Sequence, residues 1–190
     1  MIAAGHTFTT KSDTEVLLHG YEQWGVDLLQ RVRGMFTFVI WDKNKQELFG
    51  ARDHFGIKPF YYAKMNGTFM YASEIKSLLR HPDFVKELNA EALKPYMTFQ
   101  YPAIGETFFK GVYKLPEGHY FTYRDGKMDI HRYYDEDFRE GKQKLGELVN
   151  SIDQTVCDSV KAHQIADVEV GSFLSSGVDS SYVAAVARPQ

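Results

Sequence analysis

The residues best suited to chemistry lie near the end of the chain, in Ser175-Ser176-Gly177-Val178-Asp179-Ser180-Ser181. They sit between an apolar run, VEVGSFL, and a small-residue run, SSYVAAVA. A glycine at such a bend lets the backbone turn tightly, so successive N–H groups can point into one concavity. A helix that follows adds the positive end of its dipole. An anion fits there. The Walker pattern GxxxxGK[ST] is absent and no lysine is near, so the hydroxyls of Ser175, Ser176, Ser180 and Ser181 are the extra donors. Asp179 would repel a phosphate unless a Mg²⁺ ion stood between them. The same residues equally suit a plain strand-to-helix turn in which Ser or Asp caps the helix.

Three further positions invite a chemical reading. In Ser12-Asp13-Thr14-Glu15 the acid at 13 falls in a first helical turn, where an Asp is favoured by the dipole whatever its function. Arg52 and Asp53 are adjacent in GARD and read as a buried ion pair supporting a sheet rather than as catalysts. Cys157, the one cysteine, falls beside the apolar face of a helical stretch, where an inert buried thiol is the usual case.

The elements that must position these residues can be traced from pattern. Ser12 with Glu15 forms a capping box ahead of Val16, Leu17, Tyr21 and Trp24, which predicts a helix from about residue 13. MFTFVIW and ELFGARD flank a polar turn at 42–46 and read as a hairpin. FYYAKM and TFMYAS are joined by Asn66-Gly67, and HYFTYR and KMDIHRYY by Asp125-Gly126, both suited to tight turns with two positive φ angles. Short helices are expected at 73–80 and, capped by Asn89, at 90–98. This first part is α+β and mostly antiparallel. DEDFREGKQK reads as a linker. Beyond it Leu145, Leu148, Ile152, Val156 and Val160 repeat at helical spacing. A helix, the strand VEVGSFL, the glycine turn and another helix resemble the opening of an α/β parallel sheet.

Composition narrows the classes. The 190 residues carry 22 Lys and Arg against 25 Asp and Glu, a net charge of -3 with no basic cluster, which argues against a nucleic-acid partner. No apolar run is long enough for a membrane span, and a single cysteine excludes an intrachain disulfide. MIAAGHTFTT lacks the regions of a signal peptide, so a cytoplasmic setting is expected.

SFLSSGVDSS resembles the pyrophosphate loop of ATP pyrophosphatases. Together with SDTEVLLHGYEQWG, RGMFTFVIWD, ARDHFGIKPFYY and YASEIKSLL, in that order, the chain resembles the glutamine-hydrolysing asparagine synthetase family from His6 to about Ala187. The resemblance implies a partial four-layer αββα N-terminal-nucleophile amidotransferase domain over 1–138. The start of an ATP-binding synthetase domain follows over 145–190, in an enzyme that adenylates aspartate and passes it ammonia from glutamine.

Residue by residue, the resemblance assigns Asp13 to the amino group of glutamine. It assigns Leu174 to adenosine through its backbone, and Ser175, Ser176, Gly177, Asp179 and Ser180 to pyrophosphate, with Asp179 at Mg²⁺. Ser176 departs from the pattern, standing where glycine is frequent, and its side chain restricts close backbone approach. ATP and Mg²⁺ are the implied cofactors; glutamine, aspartate and ATP are the implied substrates. The family's N-terminal cysteine nucleophile, its arginine and its Asn-Gly-Glu segment have no match among the first residues, MIAAGHT. An internal fragment of a larger enzyme is therefore expected, inactive by itself and prone to form oligomers through bare sheet edges such as MFTFVIW and FYYAKM. The alternatives are a non-catalytic binding protein that keeps the amidotransferase scaffold, or part of a related ligase such as a β-lactam synthetase.

Overall fold

The computed structural model describes residues 1–101 and 103–188, so Pro102 and the last two residues of the expected 145–190 unit lie outside the described residues. It divides into two compact units, Met1–Glu136 and Asp137–Gln190.

In the first unit, helix α1 (Asp13–Trp24) starts where the sequence predicts, with the Ser12 side chain accepting from the Thr14 N–H. The capping box does not close. Glu15 reaches further back instead, accepting from the N–H and hydroxyl of both Thr9 and Thr10. These bonds, the Thr10 hydroxyl foremost, hold its carboxyl down at about 2. The carboxylate ties segment 9–10 to the helix, a stronger use of a charged acceptor than one capping bond. A 3-10 turn (Gly25–Gln30) then brings Leu28 and Leu29 into the core.

The strands that follow among the described residues are β1 (Thr37–Asp42), β2 (Glu47–Arg52), β3 (Tyr61–Met65), β4 (Thr68–Ala72), β5 (Val112–Lys114), β6 (His119–Arg124) and β7 (Lys127–Arg132). They form two antiparallel sheets, ordered β1-β2-β6-β7 and β4-β3-β5. Asn66 and Gly67 have φ of 50° and 81°, and Asp125 and Gly126 have φ of 51° and 75°, the paired left-handed values of two-residue hairpin turns. β1 is an edge strand as expected. FYYAKM is not an edge: β3 is paired on both sides.

The period-2 alternation of the strands sorts the core into three interfaces. Phe49 and Ala51 of β2 face Tyr21, Leu28 and Leu29. The other face of this sheet, through Leu48, Phe121 and Tyr123, meets Phe60, Tyr62 and Phe69 of the second sheet. Beyond that sheet, Ala63, Met70 and Val112 pack on Leu78 of the short helix α2 (Ile75–Leu78). Helix, sheet, sheet, helix is the four-layer order. Each fully buried Phe contributes about 2–3 kcal/mol by leaving water, and Phe49, Phe60 and Phe121 are all fully buried.

The two-sheet contact depends on Gly50. It pairs with Phe121 across the ladder, and a Cβ built on it would stand 2.3 Å from the Phe121 ring. Gly50→Ala should destabilise the first unit by about 3 kcal/mol through overpacking. Urea unfolding followed by circular dichroism checks this, and a midpoint equal to that of the parent chain would contradict it.

The expected helix at 73–80 shrinks to α2, and that at 90–98 becomes a 3-10 turn (Ala90–Ala92) leading into α3 (Leu93–Phe99). Asn89 does not cap it. Buried, its amide donates to the Thr107 carbonyl while its N–H donates to Phe108, which pins loop 105–109 instead.

In the second unit, α4 (Leu145–His163) and α5 (Val178–Ala187) pair. The Tyr182 hydroxyl donates to Asp153, which pushes the phenol up to about 12, and Gln164 donates to the Ala187 carbonyl. Val156 and Val160 of the predicted stripe are half-buried, whereas Leu145 and Ile152 are exposed. VEVGSFL is not a strand: among the described residues nothing pairs with 168–174, and a strand exists only through a hydrogen-bonded neighbour. No described helix is long and apolar enough to cross a membrane.

Candidate functional site

Two sites emerge, one in each unit. In the first, Asp13 stands at the mouth of a cleft of about 350 Å³, lined also by Thr14, Met35, Phe36, Lys58 and Ser73. Its carboxylate is exposed, and among the described residues it accepts from the Ser12 hydroxyl alone, at 3.5 Å. An acceptor so lightly engaged, in a cleft that Met35 and Phe36 also line, suits an ammonium group attached to a short aliphatic chain. Lys58, which lines the same cleft, supplies a cation.

Four motifs distant in sequence meet here: SDTEV supplies Asp13 and Thr14, RGMFTF supplies Met35 and Phe36, GIKPF supplies Lys58, and YASE supplies Ser73. Of these, Asp13 alone is assigned from sequence. Lys58 and Ser73 lie in quoted motifs, but nothing in their spacing shows that they share a cleft with it.

Lys58 is brought to the cleft by a loop that Arg52 and Asp53 hold, and not as an ion pair. Both are buried, yet no Arg52–Asp53 salt bridge forms among the described residues. Asp53 accepts from the N–H groups of Phe55 at 3.2 Å, Ile57 at 2.9 Å and Lys58 at 2.9 Å. Arg52 donates to the carbonyls of Lys58 and Leu115, each at 2.7 Å, and to that of Gly56. Asp53 is therefore satisfied by the backbone of loop 53–58, and Arg52 by that loop and Leu115, folding the loop so that the Lys58 carbonyl meets Thr37 of β1. Burial lowers the Arg52 pKa, and Asp53 nearby works against that shift. Two more bonds lock the network to its surroundings, Asp53 N–H to Phe36 at 2.9 Å and the Tyr133 hydroxyl to the Arg52 carbonyl at 2.8 Å. The Tyr133 phenol is pushed far up by burial.

In the second unit, Ser175, Ser176 and Gly177 form the turn ahead of α5 and Asp179 and Ser180 stand in its first turn, with Leu174 exposed beside them. Gly177 occupies the N-cap. The Ser180 hydroxyl donates to the Gly177 carbonyl at 3.1 Å, accepts from the Ser175 N–H at 3.3 Å and lies 3.0 Å from the Ser175 hydroxyl, so these residues close the loop on itself. Ser176 has φ of 59°. That left-handed conformation is the physical reason glycine suits its place, since an L side chain there costs about 1 kcal/mol. The first N–H groups of α5 lack intrahelical acceptors and face the positive dipole end. Asp179 in that turn forms no ion pair among the described residues. Carboxylate and hydroxyl oxygens are the donors Mg²⁺ prefers, so the set fits a Mg²⁺–phosphate group. Cys157 is half-buried within α4.

Comparison with known proteins follows the same division. A glutamine amidotransferase domain model matches residues 1–134, and an asparagine synthase model matches 151–190. The chain is 43% identical over 187 residues to an asparagine synthetase [glutamine-hydrolyzing] 1 of Bacillus subtilis, covering 98% of this chain and 29% of that protein. It is 40% identical over 196 residues to a putative asparagine synthetase [glutamine-hydrolyzing] of Mycobacterium tuberculosis, covering 96% and 29%. It is also 34% identical to amidase chry2 of Gibberella zeae, covering 93% and 26%. The chain thus spans less than a third of the length of these curated relatives. Among solved structures, a glutamine phosphoribosylpyrophosphate amidotransferase from B. subtilis in complex with ADP and GMP overlays with a TM-score of 0.46 at 19% identity, covering 98% of this chain and 39% of that one. The amidotransferase model takes in α1, both sheets and every residue of the Asp13 cleft, and by that match the chain belongs to the glutamine amidotransferase domain family.

Proposed function

We propose that this chain is the glutaminase-to-synthetase portion of a glutamine-hydrolysing asparagine synthetase. Residues 1–138 serve glutamine use and 145–190 open the ATP-using domain. The observation that carries the reading is the convergence of four separate motifs on the Asp13 cleft, in a chain whose relatives by that name align with it through both units.

In this reading Asp13 receives the α-ammonium of glutamine by a charge-assisted hydrogen bond and Lys58 attracts the α-carboxylate, so the side-chain amide is held in one orientation. The loop at 174–180 takes the pyrophosphate of ATP on backbone N–H groups and the Ser175 and Ser180 hydroxyls. Asp179 is the residue that would hold Mg²⁺, which when bound neutralises phosphate charge. Aspartate is the acceptor. The nucleophile is not supplied by Cys157, and Cys157→Ala should leave any ammonia release from glutamine unchanged.

The isolated 190-residue chain tests the loop assignment. Mg-ATP should bind weakly, with a Kd above about 1 mM, and shift NMR amide signals at 174–181. Ser176→Gly should preform the loop by relieving about 1 kcal/mol of strain and tighten binding by up to about five-fold. Shifts centred elsewhere, or shifts that survive Asp179→Ala undiminished, would remove the loop from the ATP site.

A further inference from the structure

Far along α1 from Asp13, three side chains converge without a role in either site. His6 Nδ1 lies 3.2 Å from His19 Nδ1, His19 Nδ1 lies 2.9 Å from Glu22 Oε2, and His6 Nδ1 lies 3.7 Å from that same oxygen. The two rings are mostly buried, while Glu22 reaches solvent.

The hydrogens in this cluster can be placed from its partners. His6 Nε2 is 2.9 Å from the side-chain oxygen of Gln23, and an amide oxygen only accepts, so Nε2 carries the hydrogen. In the neutral ring Nδ1 is then a bare lone pair. It faces another ring nitrogen and a carboxylate oxygen. A single hydrogen on His19 Nδ1 can serve one of these two neighbours at a time, which leaves an acceptor-rich triangle with too few donors. His19 Nε2 in turn lies 3.7 Å from Glu15 Oε1, the carboxylate tethered by Thr9 and Thr10.

The triangle has the dimensions of a metal site. Ligands about 2.05 Å from a tetrahedral zinc ion stand about 3.3 Å apart, and the sides here are 3.2, 2.9 and 3.7 Å. An ion about 2.05 Å from all three atoms would lie about 0.7 Å out of their plane, which is the offset of a tetrahedral centre above three of its ligands. The outer partners match as well. A metal-bound histidine donates its other N–H to an oxygen that fixes the tautomer; Gln23 does so for His6, and Glu15 is placed to do so for His19.

We propose that His6, His19 and Glu22 bind one zinc-class divalent transition-metal ion, through Nδ1 of both rings and one carboxylate oxygen, with water in the open fourth position. Two ligands come from one helix face at i and i+3, and the third from the segment that crosses it. The ion would be a structural clasp, fastening residues 6–10 along the helix that begins with Asp13. Imidazole and carboxylate together select zinc, cobalt or nickel over magnesium and calcium.

The test is titration of the purified, metal-stripped 190-residue chain with Zn²⁺ by calorimetry and with Co²⁺ by visible absorption. One equivalent should bind at low micromolar concentration or tighter, with the intense d–d bands of tetrahedral Co²⁺ and a raised thermal midpoint. His19→Ala should weaken binding by more than about 100-fold, and Gln23→Leu, which touches no metal, by about 10-fold. His6→Asn, on the exposed segment, provides a second loss-of-ligand variant whose far-ultraviolet circular dichroism should match the parent. Binding that persists in the His6→Asn/His19→Ala double variant, or that is weaker than about 1 mM in the parent chain, would overturn the site. Retained affinity in Gln23→Leu would overturn the tautomer assignment on which it rests.

Discussion

Asp53→Ala should lower the stability of the first unit by about 4 kcal/mol, the largest effect of any single substitution proposed for this fold. The carboxylate accepts three backbone N–H groups of loop 53–58 and is itself fully buried. Truncation leaves those donors without partners and removes the first of the negative charges near the Arg52 guanidinium, leaving Glu117. Stranded buried donors cost about 1–3 kcal/mol each before relaxation, and breaking a buried charge arrangement typically costs about 3–5 kcal/mol. Since the loop can open to let water in, the lower part of the summed range applies. Calorimetry of the chain should show the melt of the first unit moved down by about 10–15 °C. Asp53→Asn keeps one acceptor oxygen, enough for Phe55 and Ile57, and should lose about half as much. A melt of the alanine variant within two or three degrees of the parent would show that the loop is held by something other than Asp53.

The stability effect and the site are linked by geometry. Loop 53–58 carries Lys58 into the cleft, and the Asp53 N–H bonds the carbonyl of Phe36, which also lines it. A variant that loosens the loop should therefore widen the cleft before it unfolds the unit.

How far the sequence reveals this arrangement depends on the range of each interaction. Asn66-Gly67 and Asp125-Gly126 turn as predicted because a left-handed φ pair is a local requirement that those residues meet in any context. The start of α1 is legible for the same reason. Glu15 shows where local reasoning stops: two threonines five and six residues upstream offer it four donors, against one from the N-cap backbone. Arg52 and Asp53 are adjacent in sequence, but Arg52 ends β2 and Asp53 opens the loop that follows, and each finds backbone partners instead of the other. Asn89 serves a loop nearly twenty residues away rather than its own helix. VEVGSFL has strand composition, but composition cannot supply the neighbour that makes a strand. His6 escapes notice because its companions, His19 and Glu22, are set by how segment 6–10 crosses α1; the i,i+3 spacing of those two is the one signal a sequence offers.

The second large effect concerns function, and it divides the two units. Replacing the matched segment of the B. subtilis asparagine synthetase by residues 1–190 of this chain tests both sites in one enzyme, since alignment at 43% identity runs through 98% of the chain. If Asp13 holds the ammonium of glutamine, Asp13→Asn removes the charge from one strong hydrogen bond, worth about 2–3 kcal/mol. Glutamine-dependent asparagine formation should then show a KM for glutamine raised about 100-fold. Formation driven by added ammonia bypasses that cleft and should stay within about two-fold of the parent. If Asp179 holds Mg²⁺ at the shared ATP step, Asp179→Ala should lower both reactions together by about 100-fold or more.

The most direct measurement is therefore the ratio of glutamine-driven to ammonia-driven asparagine formation in that chimera and its two variants. The account predicts that the ratio, at sub-saturating glutamine, collapses by about 100-fold in Asp13→Asn and stays constant in Asp179→Ala while both rates fall. An unchanged ratio in Asp13→Asn, or an Asp179→Ala enzyme that keeps its ammonia-driven rate, would contradict the assignment of glutamine to the first unit and ATP to the second.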